Sequence, residues 1–259
     1  MRIPEIYKKN LLRYLSLYDP FELTLASIEA LAEGKKTQRK KIISTILKAA
    51  PKVEPLMCTM RMILKGDCSV EHAANIIKST RASLTLSIIN SLVKEVKKVL
   101  VLGLPTVLEQ AFMGTDVIVR ALMPTLSEIE VTDFLTRASN FFNSTEGSIE
   151  HLAQSAKHIA WADVVVLDTF GNWFSSYMRE GADQICKLAF NEKPVYLVIS
   201  RHYQFSQYRF LFGIPLAPEL FRFLVTERGV ERLAYTLSDT DGYIYNPRWI
   251  SQGPNSILN

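Results

Sequence analysis

Residues 158–200 read HIAWADVVVLDTFGNWFSSYMREGADQICKLAFNEKPVYLVIS, and the order of segments in them indicates the class of fold. A β-branched run ends at Asp168, an amphipathic segment follows at 181–191, and the apolar run PVYLVIS closes the stretch. Strand, crossover, helix and strand in this order are typical of a parallel α/β unit whose strands are buried on both faces. The stretch therefore predicts an α/β protein with a mainly parallel sheet covered by helices.

Asp168 stands at the end of the first of these strands. Open α/β sheets bind their ligands beyond the carboxyl ends of the strands, so its position makes Asp168 a candidate site residue. Position alone favours a plainer role, that of an aspartate that caps a helix or closes a turn.

The chain divides into two parts of different pattern and opposite charge. Residues 1–98 have apolar residues at helical spacing, 18 Lys/Arg and 9 Asp/Glu, whereas residues 99–259 have 12 and 17. We predict a basic helical domain at 1–98 and a Rossmann-like domain at 99–259 with a polar tail from about 236. In the helical part, a break at Asp19-Pro20, a helix end at Gly34 and a long helix capped by Ser69 are expected.

Alternating strands and helices are predicted after residue 98. They are strands at 99–103 and 115–122, helices at 105–112 and 127–139, a weak strand at 140–143, and helices at 148–160 and 218–226. Asp241-Gly242 is a hairpin signal in the tail.

A run of basic residues separates two of the predicted helices in the first part. It consists of Lys35, Lys36, Arg39, Lys40 and Lys41. Exposed clusters of this kind bind phosphate backbones, so these residues are candidates for binding RNA or another anionic partner. An ordinary solvated helix surface explains the run equally well, and the basic character of the whole first part is what favours binding.

The stretch around Asp168 resembles the core of the translation initiation factor 2B regulatory-subunit family (alpha, beta and delta). That family, which also contains the methylthioribose-phosphate and ribose-bisphosphate isomerases, has a strand ending Gly-Ala-Asp, then Asn-Lys, Gly and Pro-x-Tyr-Val. Here 166–168, 178–179, Gly181 and 194–197 stand at those places.

Shorter matches extend the resemblance over about residues 40–230. They are the segments 55–57, 106–109, 203–205 and 225–229. The resemblance implies a Rossmann-like fold and a homodimer formed through the C-terminal domain, for which the aromatic stretch 203–214 is suited.

The polar residues that the family's isomerases use are mostly replaced. Their cysteine falls at 102–104, which has no titratable group, and their Arg-Pro loop falls at 121–124, which keeps only the proline. Arg179 keeps a positive charge, but a guanidinium cannot exchange a proton, so Asp168 and Arg179 form at most a ligand-binding anion site or a salt bridge. We therefore expect a non-catalytic, vestigial site.

The resemblance implies a protein that binds the translation machinery, either an initiation factor or a ribosomal subunit, as a regulatory or structural factor. The alternative is a sugar-phosphate isomerase, or a sensor of sugar phosphates or nucleotides, with a diverged site.

Several other classes of function lack their sequence signals. The chain has no G-x-G-x-x-G, Walker or G-x-S-x-G motif, and its three cysteines and four histidines have no metal-ligand spacing. We expect no cofactor and no metal. The first residues lack the apolar region of a signal peptide and no apolar run reaches about 18 residues, so a cytoplasmic protein without a membrane span is expected.

Overall fold

The first part of the chain folds into helices that pack around one central helix. The computed structural model describes residues 20–34, 36–49, 54–126, 128–168, 177–178, 181–198, 214–215, 223–234 and 248–251. In order, the helices are α1 (Pro20–Glu33), a 3-10 turn (Lys36–Gln38), α2 (Arg39–Ala49), α3 (Glu54–Lys65) and α4 (Val70–Ile88), which continues as a π-helical turn (Ile89–Val93). Helix α1 contacts α2, α3 and α4.

The predicted ends of two of these helices are confirmed. Helix α1 begins at Pro20 and ends at Glu33, directly before Gly34, so the predicted bounds agree, although Gly34 lacks the positive φ of a left-handed C′ glycine. The helix predicted before Asp19 lies outside the described residues. Helix α4 is capped by Ser69, whose hydroxyl oxygen accepts a hydrogen bond from the His72 backbone N–H at 3.1 Å.

The second part forms an eight-stranded, mainly parallel sheet, which confirms the predicted fold class. Its strands are β1 (Lys98–Leu102), β2 (Ile118–Met123), β3 (Gly147–His151), β4 (Val164–Asp168), β6 (Val195–Val198), β8 (Phe223–Thr226), β9 (Gly229–Ala234) and β10 (Arg248–Ser251). They lie in the order β10-β9-β8-β6-β4-β1-β2-β3; β9 is antiparallel to both of its neighbours, β8 and β10, and all other neighbouring strands are parallel. A separate pair joins β5 (Tyr177–Met178) and β7 (Ile214–Pro215).

Strand order reverses in the middle of this sheet. The chain runs outward from β1 through β2 to β3, returns to β4 on the other side of β1, and then runs outward again through β6 and β8. In a doubly wound sheet the gap between the two central strands is the topological switch point, and its carboxyl side is where ligands bind. Here the switch point lies between β1 and β4.

Helices cover both faces of the sheet because alternate strand residues point to opposite sides. The helices of this part are α5 (Thr106–Phe112), α6 (Glu128–Phe142), α7 (Ser155–Trp161) and α8 (Ala182–Ala189). Val101 and Val166 pack on the face with α5, α6 and the helical part, whereas Leu102 and Leu167 pack on the face with α7 and α8. Strand β4 is buried along its whole length, as the VVVL run predicts.

The weak strand predicted at 140–143 is wrong, because the pair Phe141-Phe142 ends helix α6. Phe134, Ala138 and Phe141 are all buried at helical spacing, so the aromatic pair continues the apolar stripe of the helix. The third strand instead starts at Gly147, where an added Cβ would lie 1.9 Å from the carbonyl oxygen of Val119 in β2.

The helix predicted at 148–160 begins too early. Residues 147–151 are β3, a 3-10 turn (Leu152–Gln154) follows, and α7 starts only at Ser155. The sequence here lacks a strong apolar alternation because β3 is the edge strand and only half buried.

The helix predicted at 218–226 is also wrong where the structure describes it. Residues 223–226 are β8, which pairs with β6 on one side and β9 on the other. Four apolar or β-branched residues followed by a two-residue turn favour a strand, and Gly229 ends the turn with a φ of 115° that only glycine adopts easily. The hairpin signal at 241–242 lies outside the described residues, between the antiparallel strands β9 and β10.

One hydrophobic core joins the two parts of the chain. Leu23, Ile77 and Leu84 of the helical part belong to the same buried cluster as Val101 and Val166 of the sheet. The boundary predicted at residue 98 stays a prediction; β1 begins at Lys98.

Candidate functional site

Asp168 lies at the switch point of the sheet. It is the last residue of β4, pairs in register with Val198 of β6, and is only 5% exposed. The sequence therefore located this residue at the carboxyl edge correctly, while its role as a ligand-binding residue stays a prediction.

The described residues beside Asp168 at this edge are apolar. Strand β1 ends at Leu102, the Gly103 backbone N–H donates to the Leu122 carbonyl oxygen at 2.8 Å, and Leu104 and Pro124 are buried. Proton transfer between neighbouring carbons needs an acid/base pair, and phosphate binding needs donors. Among residues 102–104 at the end of β1 and 123–124 at the end of β2, no side chain supplies either of these.

Arg179, the second residue of the predicted anion site, lies outside the described residues. Its neighbour Met178 pairs with Ile214. Gly181 precedes α8 with a φ of 91°, and an added Cβ there would lie 2.6 Å from the Leu152 side chain. This glycine is therefore explained by backbone geometry and by close packing.

The segment 106–109, one of the family-like motifs, holds an arginine that the sequence did not single out. Arg137 of α6 donates from Nε and Nη2 to Glu109 Oε2 at 2.8 and 2.7 Å, and from Nη2 to Thr106 Oγ1 at 2.6 Å. Its Nη1 lies 3.5 Å from Glu22 Oε2 in α1. The motif thus ties α5 to α6 and to the helical part of the chain, which is a structural role.

The basic run divides between exposed and half-buried positions. Lys36, Lys40 and Lys41 are exposed, Arg39 is half-buried, and Lys35 lies outside the described residues. We call Lys35, Lys36, Arg39, Lys40 and Lys41 the basic patch.

Three cations of the basic patch occupy the first turn of α2, which contains no acidic residue. The opposite side of the helix is anchored in the core through Ile42, Ile43 and Ile46. A helix N-terminus carries partial positive charge, so cations there are unfavourable and anions are favoured. The arrangement therefore lowers helix stability and concentrates positive potential at one end of α2.

A second polar cluster could not be predicted from the sequence, because its members come from three separate elements. Arg120 of β2, Glu150 of β3, and His158 and Trp161 of α7 meet on the outer part of the sheet, and we call them the His158 cluster. Arg120 Nη1 lies 3.1 Å from His158 Nδ1, and Glu150 Oε2 lies 3.2 Å from His158 Nε2. His158 is only 1% exposed, so it does not meet a substrate from solvent.

The cysteines and acidic residues offer no metal centre within the described part of the chain. No group of three His, Cys, Asp or Glu residues there could hold a metal ion. Cys58, Cys68 and Cys186 are free thiols, and burial raises the pKa of Cys186 to about 12, so it is not a thiolate at neutral pH. None of the described helices combines the length and the apolar character that a membrane crossing needs.

Comparison with known proteins finds similarity in structure only. No protein-family model and no curated protein sequence matches the chain. The translation initiation factor eIF-2B of Pyrococcus horikoshii OT3 superposes with a TM-score of 0.65 at 14% identity, over 88% of this chain and 97% of that one.

Two solved structures from Chaetomium thermophilum agree with this result. The eIF-2B delta subunit has a TM-score of 0.61 at 13% identity over 87% of this chain and 96% of its own. The tetrameric eIF-2B complex of beta and delta subunits gives 0.60 at 14% identity, over 89% and 91%. The resemblance noted in the sequence is thus confirmed in the fold: the chain has the fold of the eIF-2B subunits.

Proposed function

We propose that the chain is a non-catalytic, eIF-2B-like protein that binds the translation machinery, either an initiation factor or a ribosomal subunit, as a regulatory or structural factor. Similarity of fold supports the eIF-2B-like character of the chain, because the solved structures on which the chain superposes are initiation-factor subunits. The proposed partner is an anionic surface, most simply ribosomal RNA in a subunit.

The basic patch is the observation that carries the proposal. Three cations in the first turn of α2 work against the helix dipole, and such local conflicts with stability are expected at functional sites. Exposed lysines that gain nothing for the fold are well suited to phosphate contacts, which release condensed counterions and speed association.

Apolar residues at two of the described strand ends support a non-catalytic role. The described residues at the ends of β1 and β2 are apolar, and the two described buried cysteines, Cys68 and Cys186, have raised pKa values. Isomerisation of a sugar phosphate needs proton donors, proton acceptors and phosphate ligands together.

A second candidate function rests on Asp168. A carboxylate only 5% exposed at the topological switch point is the position from which a sugar-phosphate isomerase or a sensor of phosphorylated metabolites would work. With Arg179 it would form the ligand-binding pair, Asp168 as the remaining acid/base group and Arg179 as the phosphate ligand.

We also propose that the chain forms a homodimer through its C-terminal domain. The solved beta–delta complex of C. thermophilum is tetrameric, which supports assembly as a property of this fold. The aromatic stretch 203–214, suited by composition to an interface, lies outside the described residues.

Capture of the tagged full chain from native lysate at low and high salt tests the function. Ribosomal RNA or a translation initiation factor should be retained at low salt and lost at high salt, because phosphate contacts are screened. Recovery of neither at low salt would contradict the proposal, and turnover of an aldose phosphate by the purified chain would support the isomerase instead.

A further inference from the structure

The hydrogen bond between Arg120 and His158 fixes the charge of the histidine. A guanidinium is always protonated and has only donors, so Arg120 Nη1 donates to Nδ1 at 3.1 Å and Nδ1 must be unprotonated. The ring is therefore neutral, with its proton on Nε2. Glu150 Oε2 lies 3.2 Å from Nε2 but makes no hydrogen bond with it, so the carboxylate contributes mainly its charge.

The other members of the His158 cluster fix Arg120 in place. Its guanidinium carbon lies 3.9 Å from the centre of the Trp161 ring, a cation–π contact, and its Nε lies 3.8 Å from Glu150 Oε1. Ser148 Oγ donates to the same Glu150 oxygen at 2.7 Å. Besides its apolar packing on the sheet, helix α7 is thus attached to β2 and β3 through Arg120, which contacts both His158 and Trp161.

Burial and three charged groups act on the pKa of His158, and the neighbouring elements carry further charged residues. Burial lowers its pKa below the ordinary value, Arg120 and Lys157 lower it further, and Glu150 acts in the opposite direction. Lys98 of β1 lies 5.9 Å from the Trp161 ring, and Asp183 and Lys187 of α8 pair with each other at 3.6 Å. A proton on Nδ1 would therefore set two cations face to face, 3.1 Å apart, at a site that is only 1% exposed.

We propose that His158 is a proton-operated latch: the neutral ring holds helix α7 on β2 and β3, and protonation releases residues 152–161 while the rest of the sheet stays folded. The release is local because β3 is an edge strand and the segment connects it to β4 over the surface of the sheet. Since α7 leads directly into β4, the latch couples acidity to the strand that ends at Asp168.

The direction of the pH effect follows from the depressed pKa. A histidine with a lower pKa in the folded than in the unfolded state contributes its stabilisation above the unfolded value, 6.5, and loses it as the pH falls from there through the folded value. The latch is therefore closed at neutral pH and opens only on acidification.

Hydrogen exchange on the full chain tests the latch. Between about pH 7.5 and about pH 5.5, corrected for intrinsic exchange, protection of 152–161 should fall about ten-fold while that of α6 stays constant. His158→Gln keeps an acceptor for Arg120 and cannot be protonated, so its protection should not change with pH. His72→Gln, at an exposed position on α4, is the matched control and should respond like the wild type.

Three results would overturn the proposal: constant protection of 152–161 in the wild type, the same loss in His158→Gln, or a parallel loss in α6. If His158→Gln does not fold, the wild-type imidazole titration by NMR decides the question. The midpoint of the His158 titration should lie below pH 6.5 and coincide with a change in tryptophan fluorescence. A midpoint at or above 6.5 contradicts the latch.

Discussion

Arg137 and Glu109 form an ion pair in which two guanidinium nitrogens, Nε and Nη2, donate to the same carboxylate oxygen at 2.8 and 2.7 Å. Both side chains are about five-sixths buried, at 16% and 15% exposure. This pair connects the first two crossover helices of the sheet, and Glu22 brings helix α1 to the same arginine. The helical part and the sheet are therefore joined by charge as well as by the shared core.

Glu109→Gln should lower the free energy of unfolding by about 2 kcal/mol, because it leaves a mostly buried guanidinium without its main counter-charge. Denaturant unfolding measures the effect. Asp183→Asn is the matched control: it breaks the exposed pair with Lys187 on α8 and should cost less than about 0.5 kcal/mol. Equal losses in the two variants would mean that Arg137 is not held as described.

Gly147→Ala should destabilise the chain by about 3 kcal/mol or more, because the new methyl group would overlap the Val119 carbonyl and displace β3 from β2. Gly114→Ala provides the comparison. Gly114 has a φ of 67° and open space around its Cβ position, so only backbone strain of about 1 kcal/mol is expected there. A smaller loss at Gly147 than at Gly114 would argue against the register of β3.

Elements that depend on local interactions could be predicted from the sequence, whereas elements that depend on distant contacts could not. The run 164–167 predicts β4 because its residues are buried on both faces, and Ser69 predicts the start of α4 because a cap is a local interaction. Strand β3 was not predicted, because it is a half-buried edge strand. Its start depends on the close approach of Val119, which is distant in sequence.

Side-chain clusters were harder to predict than elements for the same reason. Arg120, Glu150 and His158 are separated by 30 and 8 residues, and nothing in their spacing brings them together before the sheet is built. Asp168 was found because the end of a parallel strand is a position that local pattern does reveal.

Asp168→Asn should lower the free energy of unfolding by about 1 kcal/mol, because the buried carboxylate at the strand end is expected to act through interactions with its neighbours in the fold. Binding to the translation machinery should stay unchanged. Thermal unfolding and co-sedimentation measure the two effects. Unchanged stability together with lost binding of a phosphorylated sugar would identify a ligand site. Aldose-phosphate turnover that disappears in this variant would establish the isomerase.

Lys40→Gln combined with Lys41→Gln should raise the free energy of unfolding by about 0.3–1 kcal/mol, since it removes two cations from the first turn of α2. Lys65→Gln combined with Lys78→Gln removes the same charge from other exposed helix positions and should not give this gain. A loss of stability in the first double variant would show that these lysines serve the fold, and the functional argument from the helix dipole would then fail.

The salt dependence of binding shows whether the basic patch contacts phosphates of the translation machinery. In the quadruple variant Lys35, Lys36, Lys40 and Lys41 to Gln, affinity for ribosomal subunits should fall, and the slope of log affinity against log salt should flatten by about one unit per lost phosphate contact. Lys65, Lys78, Lys94 and Lys97, all exposed, changed together to Gln provide a control of equal charge that should keep nearly the wild-type slope. If the first quadruple variant co-sediments with the wild-type affinity and slope, or if both variants weaken binding equally, the basic patch is only a solvated surface and the proposed function is contradicted.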